Sequence, residues 1–171
     1  MYKQIGSLTS AQSKKAIEEP AKKFHVEYTS EAIEKISGIT KGYPFFIQQL
    51  CKIVYQNTDK VLIEKADVES CIEEFLTTLD EGFFKSRYER CAESDKKFVF
   101  AMVKCGELPC TISNVAHNLG KNVNSISTTR AQLISKGIIY PVKYKELDFT
   151  VPEFSGYIQR LEEYKQWDSQ R

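Results

Sequence analysis

The sequence predicts a mainly α-helical chain in two parts: a helical bundle over 1–80, then a winged helix-turn-helix with a small two-stranded wing over 81–171. Three observations carry this. Apolar residues recur at helical spacing through most of the 171 residues. Two short helical segments joined by a glycine turn precede two β-suited runs around a polar turn. Charge is also uneven, with ten acids against four bases between Val61 and Asp95, and five bases with no acid between Cys110 and Lys145. Such a contrast marks units with different surroundings.

Composition supports a folded chain. Hydrophobic residues make up 42%, and 24 Lys+Arg stand against 23 Asp+Glu. A chain of this length buries roughly 70% of its unfolded surface. No apolar run approaches the roughly 18 residues that a membrane span needs. Met1 to Ser10 lacks the apolar stretch of a secretory signal, so a cytoplasmic location without a membrane is expected. The five cysteines, Cys51, Cys71, Cys91, Cys105 and Cys110, are never spaced as CxxC. Neither a disulfide framework nor a zinc site is indicated, and reduced core thiols are expected.

In the first part, Thr9 or Ser10 caps a helix expected to run to Glu19, where Pro20 stops it. Thr29 or Ser30 caps the next, with Ala32, Ile33 and Ile36 on one face and an end near Lys41-Gly42. Pro44 suits the first turn of a third helix, where its missing N–H costs nothing. Ile47, Leu50, Cys51 and Val54 follow at i, i+3, i+4, i+7, the spacing of a buried face. Phe45 and Phe46 are expected in the core. A short extended piece, Val61 to Ile63, leads into a helix through Val68, Ile72, Phe75, Leu76 and Leu79, with the second part starting near Gly82.

There, Phe98, Ala101, Met102 and Cys105 form one apolar face, with Ser94 as candidate N-cap and Gly106 and Pro109 as breakers. Ile112, Val115, Ala116 and Leu119 form a second, closed by Gly120 at the C′ position. A third helix opens near Asn122 or Asn124, is expected to keep Val123, Ile126, Leu133 and Ile134 inward, and ends at Gly137. Ile138 to Val142 and Leu147 to Val151 flank the turn Lys143-Tyr144-Lys145-Glu146 as the wing. Pro152 begins a last helix that packs back through Tyr157, Ile158 and Leu161.

No segment matches GxxxxGK[ST], the loop whose amides cradle nucleotide phosphates. There is no GxSxG, no HExxH and no acidic pair after a long apolar strand to hold magnesium. The chain is therefore expected to carry no catalytic residue and no metal, and not to be an enzyme on its own. Of the two histidines, His117 falls roughly 140° from Ile112 on its helix, on the wet side.

The run Thr40-Lys41-Gly42-Tyr43-Pro44-Phe45-Phe46-Ile47-Gln48-Gln49-Leu50 is distinctive. Leu8…Ala16-Ile17…Pro20 precedes it, and Gln132-Leu133-Ile134-Ser135-Lys136-Gly137-Ile138-Ile139-Tyr140…Phe149-Thr150-Val151-Pro152 follows. Together they resemble the C-terminal part of a prokaryotic AAA+ or STAND-type P-loop ATPase, over nearly the whole chain. In such proteins a nucleotide-binding core is followed by a small helical lid and a winged helix. The resemblance implies that 1–80 is the lid, that 81–171 is the winged helix, and that the missing N-terminal P-loop core is the partner in cis. ATP or ADP with Mg is then the cofactor of the complete protein. The family's GxP motif matches Gly42-Tyr43-Pro44 and implies a proline ring packed near bound adenine, making these three the cofactor-binding candidates. The complete protein would be an ATPase whose lid closes over nucleotide and signals through the segment Leu79 to Arg90. This sequence departs from a catalytic lid, because no arginine lies near Pro44 to reach a γ-phosphate; Lys41 and Lys52 are the nearest bases.

The winged helix is judged by its charges. With Ile126 at the centre of the inward face, the outward face is Asn124, Thr128, Ala131, Gln132 and Ser135, while Arg130 sits beside the core. Asn and Gln pair bidentately with adenine, and Lys121, Lys136, Lys143 and Lys145 are placed to hold phosphates. The DNA-contact candidates are thus Lys121, Asn124, Thr128, Gln132, Lys136, Lys143 and Lys145. So few phosphate contacts support only modest, salt-sensitive binding. A protein partner is the other expectation, since the family also uses winged helices for protein contacts. The alternative from a different class is a free-standing winged-helix transcription regulator with an N-terminal dimerisation or ligand domain.

Overall fold

Capping chemistry sets the start of the first helix in the computed structural model, which describes residues 6–169. At the head of α1 (Ser10–Lys22), Gln12 N–H donates to Thr9 Oγ1 at 3.3 Å and Thr9 N–H donates to Gln12 Oε1 at 2.9 Å. This is a reciprocal capping box. Pro20 does not stop the helix at Glu19. It lies in the last turn, where the missing N–H forfeits a single bond, and the chain closes later at His25. His25 adopts φ +58, His25 N–H bonds Lys22 O at 3.2 Å and Val26 N–H bonds Ala21 O at 3.1 Å. That Schellman closure uses histidine where glycine is usual, so the sequence does not announce it.

A two-residue strand that the sequence hid, β1 (Glu27–Tyr28), pairs in parallel with β2 (Leu62–Ile63), which falls in the expected extended piece. Between them stand α2 (Ser30–Thr40), capped by Thr29, and α3 (Pro44–Asn57), opened by Pro44. Helices α4 (Lys65–Ser70) and α5 (Ile72–Thr78) complete the first unit. Its core is Ile17, Ile36, Phe46, Ile47, Leu50, Val54, Ile63, Val68 and Phe75. Phe46 meets Phe75 edge-on with ring centroids 6.1 Å apart. Each such side chain contributes about 1.5–3 kcal/mol on burial. Phe45 is corrected: one residue back on α3 from Phe46 it turns outward and is 44% exposed.

Gly82, near which the second part is expected to start, lies in continuous helical backbone. It sits within a wider turn of π geometry, Leu79–Phe84, which runs on into α6 (Lys85–Glu89). Glycine's helical cost of about 1 kcal/mol is small beside the packing around it. The chain divides here into two compact units, Met1–Leu79 and Asp80–Arg171; of the stretch Met1 to Ser10, in which no secretory signal is expected, residues 1–5 lie outside the described residues.

In the second unit, α7 (Glu93–Val103) is capped from inside. The expected cap, Ser94, lies in the first turn, and Asp95 instead reaches back so that Ala92 N–H donates to its Oδ2 at 3.0 Å. Next come α8 (Ile112–Asn118), capped by Thr111 and closed by Gly120 at φ +63, and α9 (Ser127–Ser135), closed by Gly137 at φ +67. A tight 3₁₀ turn, Asn124–Ile126, precedes α9 and shifts its phase. Ile126 and Leu133 therefore face inward, but Val123 and Ile134 are 38% and 36% exposed, a correction to the expected face. The wing hairpin joins β4 (Ile139–Lys143) to β5 (Glu146–Phe149) in the antiparallel register Ile139↔Phe149. A short strand beyond the expected pair, β3 (Cys110–Thr111), adds to the other edge of β5 to give the order β3-β5-β4. Helix α10 (Phe154–Asp168) buries Phe154, Tyr157 and Ile158. Phe154 lies 5.8 Å from the Phe84 ring and 5.6 Å from Phe149, which docks the helix as the apolar spacing predicts. Arg160 on α10 grips Asp80 through two bonds of 2.6 and 2.8 Å.

Candidate nucleotide-sensing turn and nucleic-acid interface

The turn between α2 and α3 is built around Gly42. Lys41 at φ +50 and Gly42 at φ +70 reverse the chain, and Tyr43 N–H donates to Thr40 O at 2.9 Å. Leu8 N–H donates to Gly42 O at 2.8 Å, so the segment before α1 crosses the turn. A Cβ on Gly42 would fall 2.5 Å from Leu8 O and 3.2 Å from Leu8 N. Both the positive φ and the close approach require glycine. Gly42 is buried, and what fills the space over it is the protein's own backbone. Tyr43 and Pro44 stay half-buried, with the Tyr43 ring 4.8 Å from Phe46 in an edge-on contact. Of the three GxP residues, Gly42 shapes the turn and Tyr43 and Pro44 present surface. The sequence does not mark Leu8 and buried Ser13 as members of this site, because no local pattern signals a backbone contact made across two helices.

An apolar groove of about 380 Å³ lies on the same unit between α1, β1 and α3, lined by Ile17, Pro20, Phe24, Tyr28, Cys51 and Tyr55. Phe24 is 62% exposed and its ring lies 5.5 Å from Tyr55. Burial pushes the Cys51 thiol up to about 11. Burial, and then Cys51, raise the Tyr28 hydroxyl as well. The groove therefore offers apolar contact without a charge at neutral pH on either group.

On the winged helix, Lys121, Asn124, Thr128 and Gln132 are exposed. Lys136 is not available in the same way, since its ammonium pairs with Asp95, which is fully buried. Asp95 thereby ties the start of α7 to the end of α9. Among the described residues its Oδ1 has no hydrogen-bond partner, nor has the buried Nε of half-buried Arg130. Lys143 lies 3.9 Å from Glu146, an exposed and loose pair. The hairpin reverses through Lys145 at φ +63, whose ammonium sits 5.0 Å from the centroid of the Tyr144 ring. His117 is exposed, as its wheel position predicts. The DNA-contact candidates thus do not form one patch of charge: neutral side chains occupy the α9 face, and Lys143 and Lys145 stand at the wing tip. No group of His, Cys, Asp and Glu among the described residues is placed to hold a metal, and no helix among them is long and apolar enough to cross a membrane.

Comparison with known proteins finds that residues 81–158 match a family model described as a Domain of unknown function (DUF8462). No curated protein matches the chain. Among solved structures, RuvB of Thermotoga maritima, described as a Holliday junction branch migration motor, is similar at 19% identity and a TM-score of 0.41 over 92% of this chain. A single-residue mutant of the same RuvB gives a TM-score of 0.43 at 19% identity over 92% of this chain. The chain spans about half the length of these structures, covering 50% of each.

Proposed function

We propose that this chain is the C-terminal regulatory part of a P-loop ATPase: a nucleotide-sensing lid followed by a winged helix that contacts DNA or a protein partner. The supporting observation is the turn at Gly42. Its backbone is locked beneath Leu8, which holds Pro44 and Tyr43 at the surface at the start of α3. A half-buried proline ring at a rigid turn suits contact with a flat, apolar base, and no charged side chain of the turn is needed for it. The nucleotide's phosphates and Mg would be held by the missing core, because the chain has no phosphate-cradling loop. On its own the chain hydrolyses no ATP and binds it weakly; a sub-micromolar Mg-ATP site by isothermal titration would overturn this.

In the complete ATPase, Pro44→Ala removes one apolar ring contact, on the order of 1 kcal/mol or about fivefold in nucleotide affinity. Circular dichroism should be unchanged. Unaltered nucleotide affinity would count against the sensing role. In this reading the lid state passes to the winged helix along the segment 79–90, and the protein works in the cytoplasm.

A further inference from the structure

The wing tip carries the most exposed large hydrophobic side chain among the described residues. Tyr144 is 87% exposed, at the end of a hairpin, between two lysines. At that exposure the ring is not part of the core. An aromatic ring recovers free energy when a partner buries it; a single exposed ring is ordinary by itself, and here it is the flanking charge that points to a partner. Lys143 and Lys145 supply that charge, and the loose Lys143–Glu146 pair at 3.9 Å offers little competition in water.

The rest of the winged helix narrows the partner. Duplex binding draws its affinity from many phosphate contacts, yet of the five bases between Cys110 and Lys145, Lys136 is held by Asp95 and Arg130 is half-buried. The α9 face is uncharged. Of the remaining three, Lys121 is exposed after α8, and Lys143 and Lys145 stand at the tip beside the exposed ring. Base faces inside a duplex are covered by their neighbours, whereas unpaired bases are open to stacking on aromatic side chains, with cations tracking the backbone. Lys145 already lies against the Tyr144 ring, in the manner of a cation–π contact that a stacked base extends.

We propose that Tyr144 is a stacking platform for an unpaired base of single-stranded nucleic acid, with Lys143 and Lys145 on the flanking phosphates. This rests on the nucleic-acid arm of the winged-helix reading above. The test is fluorescence anisotropy of the whole chain on a mixed-sequence single-stranded DNA and on its duplex, with a fluorescent adenine analogue in the strand to report stacking. Tyr144→Ala should weaken single-strand binding by roughly five- to 150-fold and abolish the analogue's fluorescence change. Duplex binding should hardly move, and Tyr144→Phe should retain both signals. Replacing Lys143 and Lys145 with Ala should weaken both DNA forms and flatten the salt dependence. If the unaltered chain binds neither DNA at low salt, the nucleic-acid reading of the winged helix fails and a protein contact takes its place. If it binds but Tyr144→Ala leaves the single-strand affinity intact, or weakens both forms equally, the stacking role alone is overturned.

Discussion

Two turns with left-handed backbone carry the candidate sites, and they differ in what lies over them. At Gly42 (φ +70) the Leu8 backbone fills the space where a side chain would go. At Lys145 (φ +63) the chain projects from the hairpin with a full side chain in place. One turn is enclosed and tolerates a single residue type; the other is open and accepts a strained lysine. A positive φ by itself costs on the order of 1 kcal/mol, and enclosure multiplies the consequence. The first unit thus protects the shape of its turn, whereas the second leaves its tip free to vary in chemistry.

The largest effect should come from Gly42→Ala, which combines a disfavoured φ with a clash against backbone that has no free rotamer. We expect about 3 kcal/mol of lost stability in urea denaturation. A loss below about 1 kcal/mol would mean that the Leu8 segment moves aside easily and that the two turns are alike.

Next in size is Lys136→Ala, which strands the carboxylate of Asp95. Removing one partner of a fully buried pair costs about 3–5 kcal/mol, but the Lys136 side chain is 39% exposed and water can partly replace it. About 2 kcal/mol is expected, read as a lower midpoint in thermal unfolding. Duplex DNA affinity should change little; a large loss there would restore Lys136 to the DNA face.

The smallest mutational effect is Lys145→Gly, which relieves the positive φ at the open turn. A gain of up to about 1 kcal/mol is expected, opposite in sign to Gly42→Ala, and an equilibrium denaturation series on the two variants compares them directly. Destabilisation instead would show that the Lys145–Tyr144 contact holds the hairpin.

A pH series separates both units from a surface-only account. Burial pushes Cys51 in the first unit up to about 11 and Cys110 in the second up to about 12, from an ordinary thiol value near 9. A thiol raised in the folded state stabilises it fully below the unfolded value. That contribution should fade as pH climbs from about 9 through 11 and 12, so both units should lose stability in alkali. Replacing each cysteine with Ala should flatten the loss in its own unit. An unchanged slope would show that these thiols are not the cause.

The legible parts of the fold are those in which neighbours along the chain decide. Thr9 and Thr29 cap the expected helices, Pro44 opens α3, and Gly120 and Gly137 close the helices of the winged domain. Of the candidate site, Gly42-Tyr43-Pro44 and the wing lysines stand out by pattern. Asp95 is different: the sequence offers it as one of several acids in a negative stretch, and nothing nearby shows that it is buried, caps α7 and binds Lys136. In the sequence Tyr144 is only one residue of a polar turn, since exposure is a property of the assembled hairpin.

By itself the sequence determined the helical character, the succession of the main helices and the wing, and several helix ends, because spacing, caps and proline or glycine act within a few residues. Tertiary structure alone decided which glycine is irreplaceable, which lysine is already engaged and which aromatic ring is left in water. The reason is distance along the chain. Leu8 meets Gly42, Asp95 meets Lys136, and β3 meets β5 only after folding brings them together. Contacts of that kind depend on how whole elements pack, and packing has no local signature.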